Sequence, residues 1–300
     1  MLNVTLDQTS NSSINSSNLG MSLLWYQFAG CAVAPHGHLF YFALKVVNLV
    51  LGTPCNVLVI WDIASNKADT STSDIFIVNL AVLDAYFCLM TPIDLVNQLL
   101  LSNSQIWSFQ RFAYGVKDTA PLFLVCICLD RYVAVVHPVL FSRIRDNKIR
   151  NGISVLAWIL ILVYGISKAL LSSIILDRVS SGIILFAFAV MVFCNISIIW
   201  VLRCSVAGKE EMHPVKKKAF KMVLIILVII VVNYLPPVAL IPFSAYSSSV
   251  VYKCQIRIIV FGIMDLSCCM EPLLYIAKKE RAGCMCCRWR FEKKLHEVKV

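Results

Sequence analysis

The sequence predicts an all-α membrane protein: a bundle of seven transmembrane helices followed by a short cytoplasmic amphipathic helix. Hydrophobic side chains make up 59% of the 300 residues, charged ones make up only 15%, and the mean hydropathy is +0.78. A chain this apolar is not an ordinary soluble globule. Its apolar runs are long and continuous, whereas the strands of a β-barrel alternate over about ten residues, so helices are favoured.

Seven stretches are long enough to cross a hydrocarbon layer of about 30 Å, which takes roughly 20 residues of helix. We expect the seven spans at residues 39–62, 74–100, 107–136, 151–172, 182–204, 218–245 and 253–277. The predicted divisions are an outer tail at 1–38, the bundle at 39–277, and a cytoplasmic tail with the short helix at 278–300. Short loops without internal repeats argue against a transporter built from inverted repeats.

Basic residues collect on one side of the predicted bundle. Most of the 27 Lys and Arg lie in segments 142–150 and 209–221 and in the tail that begins at Lys278. The positive-inside rule therefore places this tail in the cytoplasm and, after seven crossings, the N-terminus outside. The net charge of +10 reflects this asymmetry and an attraction to membrane lipid, and it indicates no nucleic-acid partner.

The outer tail carries three glycosylation sequons, at Asn3, Asn11 and Asn15, in a stretch rich in Ser and Asn. A basic region followed by an apolar core is missing before residue 21, so we expect no cleaved signal peptide. The first span would then insert as its own anchor.

Two groups of cysteines suggest modifications on opposite sides of the membrane. Cys31 and Cys254 fall on the outer, oxidising side and are predicted to form a disulfide, with two unpaired thiols as the alternative. Cys284, Cys286 and Cys287 follow the last span among basic residues. Palmitoylation is favoured for them, because a zinc site would need a second ligand cluster nearby.

Several motifs occur in the order and at the depth typical of one receptor family. The third span ends in CICLDRYVAVVHP, and the other motifs are GTPCN with Asn56, NLAVLD with Asp84, Trp158, NYLPP with Pro236, and EPLLY with Pro272. With this set the chain resembles the rhodopsin-like (class A) G-protein-coupled receptors over all seven helices. It looks most like the branch of nucleotide, protease-activated and related lipid or carboxylate receptors.

The resemblance implies a plasma-membrane receptor that activates a heterotrimeric G protein. Arg131, at the inner end of the third span, would pair with Asp130 at rest and then be released toward the G protein as the sixth span swings outward. Pro236 removes a backbone hydrogen bond and bends that span. The residues expected to carry the switch are Asp130, Arg131, Tyr132, Pro236, Pro272 and Tyr275.

Asp84 lies about 15 Å into its helix, near the bilayer midplane, where a carboxylate must be paired, solvated or protonated. In the family that the chain resembles, the matching aspartate binds sodium together with a residue of the seventh span, here Glu271. The two carboxylates are therefore a candidate sodium site. The alternative is a neutral, hydrogen-bonded pair without an ion.

Lys117 and Asp118 stand side by side in an apolar run, so each needs a partner on another helix. Adjacent residues of a helix point about 100° apart and cannot face each other well. By family geometry we expect Asp118 to meet Lys168, and Lys45 to lie near Asp265. Lys117, about 21 Å above Arg131, would either meet a ligand or pair with Asp265 or Asp94.

Basic residues at the outer rim favour a small anionic ligand, such as a nucleotide, a carboxylate or a lysophospholipid. Ala113 stands where amine receptors carry an aspartate, and Asp265 stands at the opsin lysine position, so an amine and retinal are both disfavoured. The predicted ligand-binding residues are Lys117, Tyr114, Asp94, Lys168, Tyr234, Asp265, Arg257 and Arg111.

Departures from the family pattern keep other functions open. Ala187, Asn195, Ile230, Tyr234 and Pro121 replace residues that relay agonist binding in the family. A non-signalling seven-helix scaffold or decoy is the first alternative, and a channel or transporter is the second. An enzyme is disfavoured because none of the five His lies within a predicted span. No cofactor is expected apart from the candidate sodium ion.

Overall fold

The structure is a computed structural model that describes residues 36–65, 73–101, 103–144, 146–171, 174–206, 224–240, 251–272 and 275. Every element in these ranges is a helix. The three sequons, Cys31 and the three cysteines of the cytoplasmic tail lie outside the described residues, and so does the predicted cytoplasmic helix.

Five of the described helices are long and apolar enough to span a membrane, and they correspond to the first five predicted spans. They are His36–Ser65, Asp74–Val96, Ser104–Val136, Asn147–Leu170 and Arg178–Arg203, the last being part of the longer helix Ile174–Val206. A short helix, Pro138–Ile144, follows the third span.

The sixth and seventh predicted spans are described in part. Leu224–Leu240 is a shorter apolar helix, and it contains the π-helical turn Ile230–Tyr234 immediately before Leu235 and Pro236. The seventh span is built from Tyr252–Ile256, Arg257–Asp265 and Ser267–Met270 in close succession. Proline interrupts normal helical hydrogen bonding, which accounts for the distorted turn in the sixth span.

The third span is interrupted where Pro121 enters the sequence. The helical segment before it ends at Thr119, and the amide of Ala120 lies 3.1 Å from the carbonyl oxygens of both Val116 and Lys117. Pro121 then opens the segment that continues to Val136. Its missing N–H and fixed φ suit the first turn of a helix. The interruption lies next to Lys117 and Asp118 and divides the outer part of the span from the inner part.

Two glycines bring the third and fourth spans together. A Cβ atom on Gly115 would lie only 2.9 Å from the Cα of Gly165, so neither position accepts a side chain without movement. Deeper in the bundle, Trp158 donates from Nε1 to Oδ1 of Asn79 at 2.8 Å and packs edge to face against Phe123. The second, third and fourth spans are thereby fixed relative to one another.

Backbone contacts fix the first span against the seventh. Nδ2 of Asn56 donates to the carbonyl of Cys268 at 2.9 Å, and Nδ2 of Asn48 donates to the carbonyl of Asp265 at 3.0 Å. At the outer end, a Cβ on Gly37 would lie 2.3 Å from the carbonyl oxygen of Cys254. Cys254 is disulfide-bonded. Its predicted partner, Cys31, lies outside the described residues.

Candidate functional site: charges inside the helix bundle

The bundle encloses a central cluster of polar side chains near mid-depth. Its members come from the second, third, sixth and seventh spans, and each is at most 3% exposed. They are Asp84, Lys117, Tyr234, Ser267, Cys268 and Glu271. Charged groups this far from water are expected to be paired.

Lys117 provides the positive charge of the central cluster. Its Nζ lies 2.9 Å from Oδ1 of Asp84 and 2.9 Å from Oγ of Ser267. Sγ of Cys268 donates to the same Asp84 oxygen at 3.3 Å. The ammonium thus binds the carboxylate of the second span and a hydroxyl of the seventh, which ties both spans to the third.

Glu271 provides the second carboxylate of the central cluster. The hydroxyl of Tyr234 donates to its Oε1 at 3.1 Å, and Glu271 interacts electrostatically with both Asp84 and Lys117. Its Oε2 and the Oδ2 of Asp84 are buried and have no hydrogen-bond partner among the described residues. The cluster therefore holds more acceptor oxygens than its described donors satisfy.

The structure corrects the expected partner of Lys117. The sequence pointed to a ligand, Asp265 or Asp94, whereas the ammonium binds Asp84. Along their helices the two residues differ in depth by roughly 6 Å, and the flexible four-carbon stem of lysine spans that difference. Tyr234 is likewise buried against Glu271, in the central cluster and away from the outer rim where a ligand was expected.

An outer cluster, formed by Tyr41, Lys45, Asp94, Tyr114 and Asp265, lies closer to the extracellular end. Nζ of Lys45 lies 3.0 Å from Oδ2 of Asp94, and Tyr114 donates to the same oxygen at 2.7 Å. The hydroxyl of Tyr41 lies 2.9 Å from that of Tyr114 and 3.4 Å from Oδ2 of Asp265. Lys45 therefore lies in the cluster that contains Asp265, as expected, but its ion pair is with Asp94.

Aromatic rings enclose the ammonium of Lys45. Its Nζ lies 4.3 Å from the ring centre of Phe87 and 4.5 Å from that of Tyr114. Such cation–π contacts stabilise a cation that has left water. Oδ1 of Asp94 accepts from Gln98 at 2.9 Å, so both oxygens of this carboxylate are already engaged.

Asp118 and Lys168 form a further ion pair of the bundle. This is the pairing that the helical phase of the third span predicted, because Asp118 turns away from Lys117 toward the fourth span. The pair lies at the edge of the bundle, with the side chain of Asp118 12% exposed and that of Lys168 20% exposed. The close contact of Gly115 with Gly165 brings the two spans within reach of each other at this level.

The arginines of the outer rim differ from these lysines. Arg111, Arg178 and Arg257 form no ion pair with another described residue. One nitrogen of Arg111 donates to Oγ of Ser108 at 3.1 Å, and its Nε is buried without a described partner. Arg257 is exposed, and its guanidinium lies 5.8 Å from the ring of Phe261.

At the inner end of the third span, Asp130 binds two arginines. Its Oδ2 accepts from Arg131 at 2.8 Å, which is the pair that the sequence predicted. Its Oδ1 accepts from Nε and Nη2 of Arg150 at 3.2 and 2.8 Å. Arg131 also donates to Oγ of Ser73 at 2.6 Å and keeps 22% of its side chain exposed. The sequence analysis missed Arg150 because it lies within a run of basic residues typical of a cytoplasmic loop.

Tyr275 donates its hydroxyl to Oδ2 of Asp62, which joins the inner ends of the seventh and first spans. Asp62 was also missed, because an aspartate near the end of a span normally faces water. Tyr132 packs its ring 5.8 Å from that of Phe193 on the fifth span, and Pro272 is buried. An open groove of about 450 Å³ lies beside these inner residues, lined by Val136, His137, Pro138, Val139, Leu140 and Arg143.

Comparison with known proteins identifies relatives of the whole arrangement. Residues 55–175 match the family model of the 7 transmembrane receptor (rhodopsin family). A type 1 purinoceptor of Bos taurus is 26% identical over 291 residues, 82% of this chain and 76% of that protein. Lysophosphatidic acid receptor 4 of Homo sapiens is 25% identical over 274 residues, 78% of this chain and 72% of that protein.

A shorter match involves proteinase-activated receptor 3 of Rattus norvegicus, which is 26% identical over 137 residues. These residues make up 43% of this chain and 36% of that receptor. The chain thus aligns with about a third of the protease-activated relative and with about three quarters of the two others.

Proposed function

The chain is related to the rhodopsin-like G-protein-coupled receptors, and from this relationship we propose that it is a cell-surface receptor for a small anionic ligand. In this proposal the N-terminus is extracellular, the ligand binds at the outer ends of the spans, and a heterotrimeric G protein binds at the inner ends. Ligand binding shifts an existing equilibrium between a closed and an open inner face.

The observation that carries the anionic ligand is the difference between the lysines and the arginines of the outer half. Lys45, Lys117 and Lys168 each pair with an aspartate, so they leave no net positive charge for a ligand. Arg111 forms no ion pair with a described residue and has a buried Nε without a described partner. A guanidinium in this state is suited to a carboxylate or phosphate, which it binds through two hydrogen bonds.

Arg111 lies one helical turn before Tyr114, so a ligand held by its guanidinium would sit above the outer cluster. Arg257 on the seventh span adds a second exposed guanidinium next to an aromatic ring. A ligand with an anionic group and an apolar part suits this combination, as nucleotides, carboxylates and lysophospholipids do.

At the inner face, the proposal assigns the contact with the G protein to Arg131. Its guanidinium is held by Asp130 and Ser73 but remains partly exposed, so a shift of the second or third span is enough to release it. The groove at 136–143 lies beside it and offers an apolar surface to an incoming helix.

One observation favours the alternative of a non-signalling scaffold or decoy. Arg150 binds Asp130 through two nitrogens, and Tyr275 is bound to Asp62, so two contacts hold the inner end closed. If these contacts persist with any ligand bound, the chain holds its fold at the membrane without exchanging nucleotide on a G protein.

The test is a guanine-nucleotide-exchange assay with the full chain in lipid nanodiscs, run across G-protein subtypes with a panel of anionic metabolites and lysophospholipids. We expect at least one anionic compound to accelerate exchange on one subtype, and Arg131→Ala to abolish the effect with surface expression unchanged. Binding of a compound without exchange on any subtype would instead support the decoy.

A further inference from the structure

We propose that the ammonium of Lys117 is a built-in counter-ion that occupies the place between Asp84 and Glu271 where the sequence predicts sodium. The native chain would then bind no sodium in its central cluster, and removal of the ammonium would create a sodium site. This inference concerns the central cluster alone and does not depend on the proposed ligand or on G-protein coupling.

The first step is the geometry of the ammonium. Nζ of Lys117 lies 2.9 Å from Oδ1 of Asp84 and 2.9 Å from Oγ of Ser267, and both bonds are fully buried. These two oxygens come from different spans and converge on one point. A metal ion that used them would have to take the position of the ammonium itself.

The second step is charge. Asp84 and Glu271 are the two acidic side chains of the cluster, and Lys117 is its one described cation. A sodium ion added beside the ammonium would place two positive charges within a few ångströms of each other in a medium of low dielectric constant. Their repulsion would oppose the attraction of the second carboxylate. The residues therefore fit one cation at this position, and the chain supplies that cation covalently.

The third step concerns what remains when the ammonium is removed. Lys117→Met keeps an unbranched apolar stem of similar length but no charge. Asp84 Oδ1 and Oδ2, Ser267 Oγ and Glu271 Oε2 would then lack a counter-charge, and two of these four oxygens already have no described hydrogen-bond partner. Buried carboxylates without a counter-charge are costly, so the variant is expected to recruit a small monovalent cation from solution.

The experiment is thermal unfolding of the full chain in nanodiscs, with NaCl replaced by N-methylglucamine chloride at constant ionic strength. We expect the melting temperature of the native chain to change by less than about 1 °C, since nothing binds only its folded state. For Lys117→Met it should rise by several degrees as sodium increases, because ligand binding stabilises by mass action. Adding Asp84→Asn to that variant should remove the sodium response.

Lys168→Met is the matched control, because it removes an ammonium from an ion pair that involves a single carboxylate at the edge of the bundle. We expect its melting temperature to be insensitive to sodium. A sodium response of the native chain that Asp84→Asn removes would overturn the proposal, and so would a folded Lys117→Met variant that ignores sodium. If Lys117→Met folds only when sodium is present, the proposal is supported. If it folds in neither salt, the native curve decides in the same way.

Discussion

Arg150 places two guanidinium nitrogens on one carboxylate oxygen of Asp130, at 3.2 and 2.8 Å, while the other oxygen of Asp130 holds Arg131 at 2.8 Å. The carboxylate is thus shared between the arginine proposed to meet the G protein and an arginine of the fourth span. When Arg131 leaves, Asp130 keeps a buried partner, so its release costs less than it would from an isolated pair.

Arg150→Ala should therefore lower basal nucleotide exchange, because Asp130 would then depend on Arg131 alone and hold it more firmly. A change of about 1 kcal/mol, roughly fivefold in exchange rate, is expected for a hydrogen-bonded charge partner. The measurement is GTP analogue uptake by the G protein without ligand.

Lys148→Ala is the control for this variant, since Lys148 lies on the first turn of the same helix with its side chain exposed. Its basal exchange should equal that of the native chain. Basal exchange that rises in Arg150→Ala would contradict the shared-carboxylate account.

Tyr275→Phe should loosen the inner end of the seventh span, because it removes the hydrogen bond to Asp62 while leaving the ring in place. We expect a loss of about 1 to 2 kcal/mol in stability and a rise in basal exchange. Thermal unfolding and ligand-free exchange measure the two effects.

Asp62→Asn keeps a carbonyl oxygen able to accept from Tyr275 and provides the comparison. This variant should stay closer to the native chain in both measurements than Tyr275→Phe. Equal loss in both variants would show that the charge of Asp62, rather than its bond to Tyr275, is what matters.

Gly115→Ala tests the close approach of the third and fourth spans. The added Cβ would lie 2.9 Å from the Cα of Gly165 and 3.3 Å from the Cβ of Lys168, so the spans must separate. Overpacking of this kind costs about 1 to 3 kcal/mol and should lower the melting temperature.

Gly152→Ala is the matched control, because it lies on the fourth span with no described atom within 4 Å of the new Cβ. Alanine is the better helix former by about 1 kcal/mol, so this variant should be as stable as the native chain or more so. If both glycine variants lose stability equally, steric contact between the spans is not the cause.

Arg111→Ala should weaken the response to an anionic agonist by about tenfold or more, since a charge-assisted, bidentate contact contributes on the order of 1.5 to 3 kcal/mol. The measurement is the agonist concentration that gives half-maximal exchange. Gln105→Ala, on the exposed outer turn of the same helix, should leave that concentration unchanged. An unaltered response in Arg111→Ala would remove Arg111 from the ligand site.

Helical phase predicted those parts of the site that depend on direction around a single helix. Asp118 and Lys168 pair as expected, because the third span turns by about 100° between Lys117 and Asp118 and so aims them at different neighbours. The first five spans were likewise predicted to within a few residues, since long apolar runs have few other solutions.

The remaining contacts depend on relative depth and on side-chain length, which a single sequence does not specify. Lys117 reaches Asp84 because of how the second and third spans are offset along their axes. Lys45 chooses Asp94 over Asp265 for the same reason. Arg150 and Asp62 lie at span ends, where charged residues are ordinary, so their burial appears only when neighbouring helices are in place.

Three ion pairs between consecutive spans also imply an order of assembly during synthesis. Lys45 of the first span pairs with Asp94 of the second, Asp84 of the second with Lys117 of the third, and Asp118 of the third with Lys168 of the fourth. As the nascent chain enters the bilayer from its N-terminus, each emerging helix brings the opposite charge that its predecessor lacks. After every insertion step, at most one of these six groups is left without its partner, which keeps each intermediate tolerable to hydrocarbon.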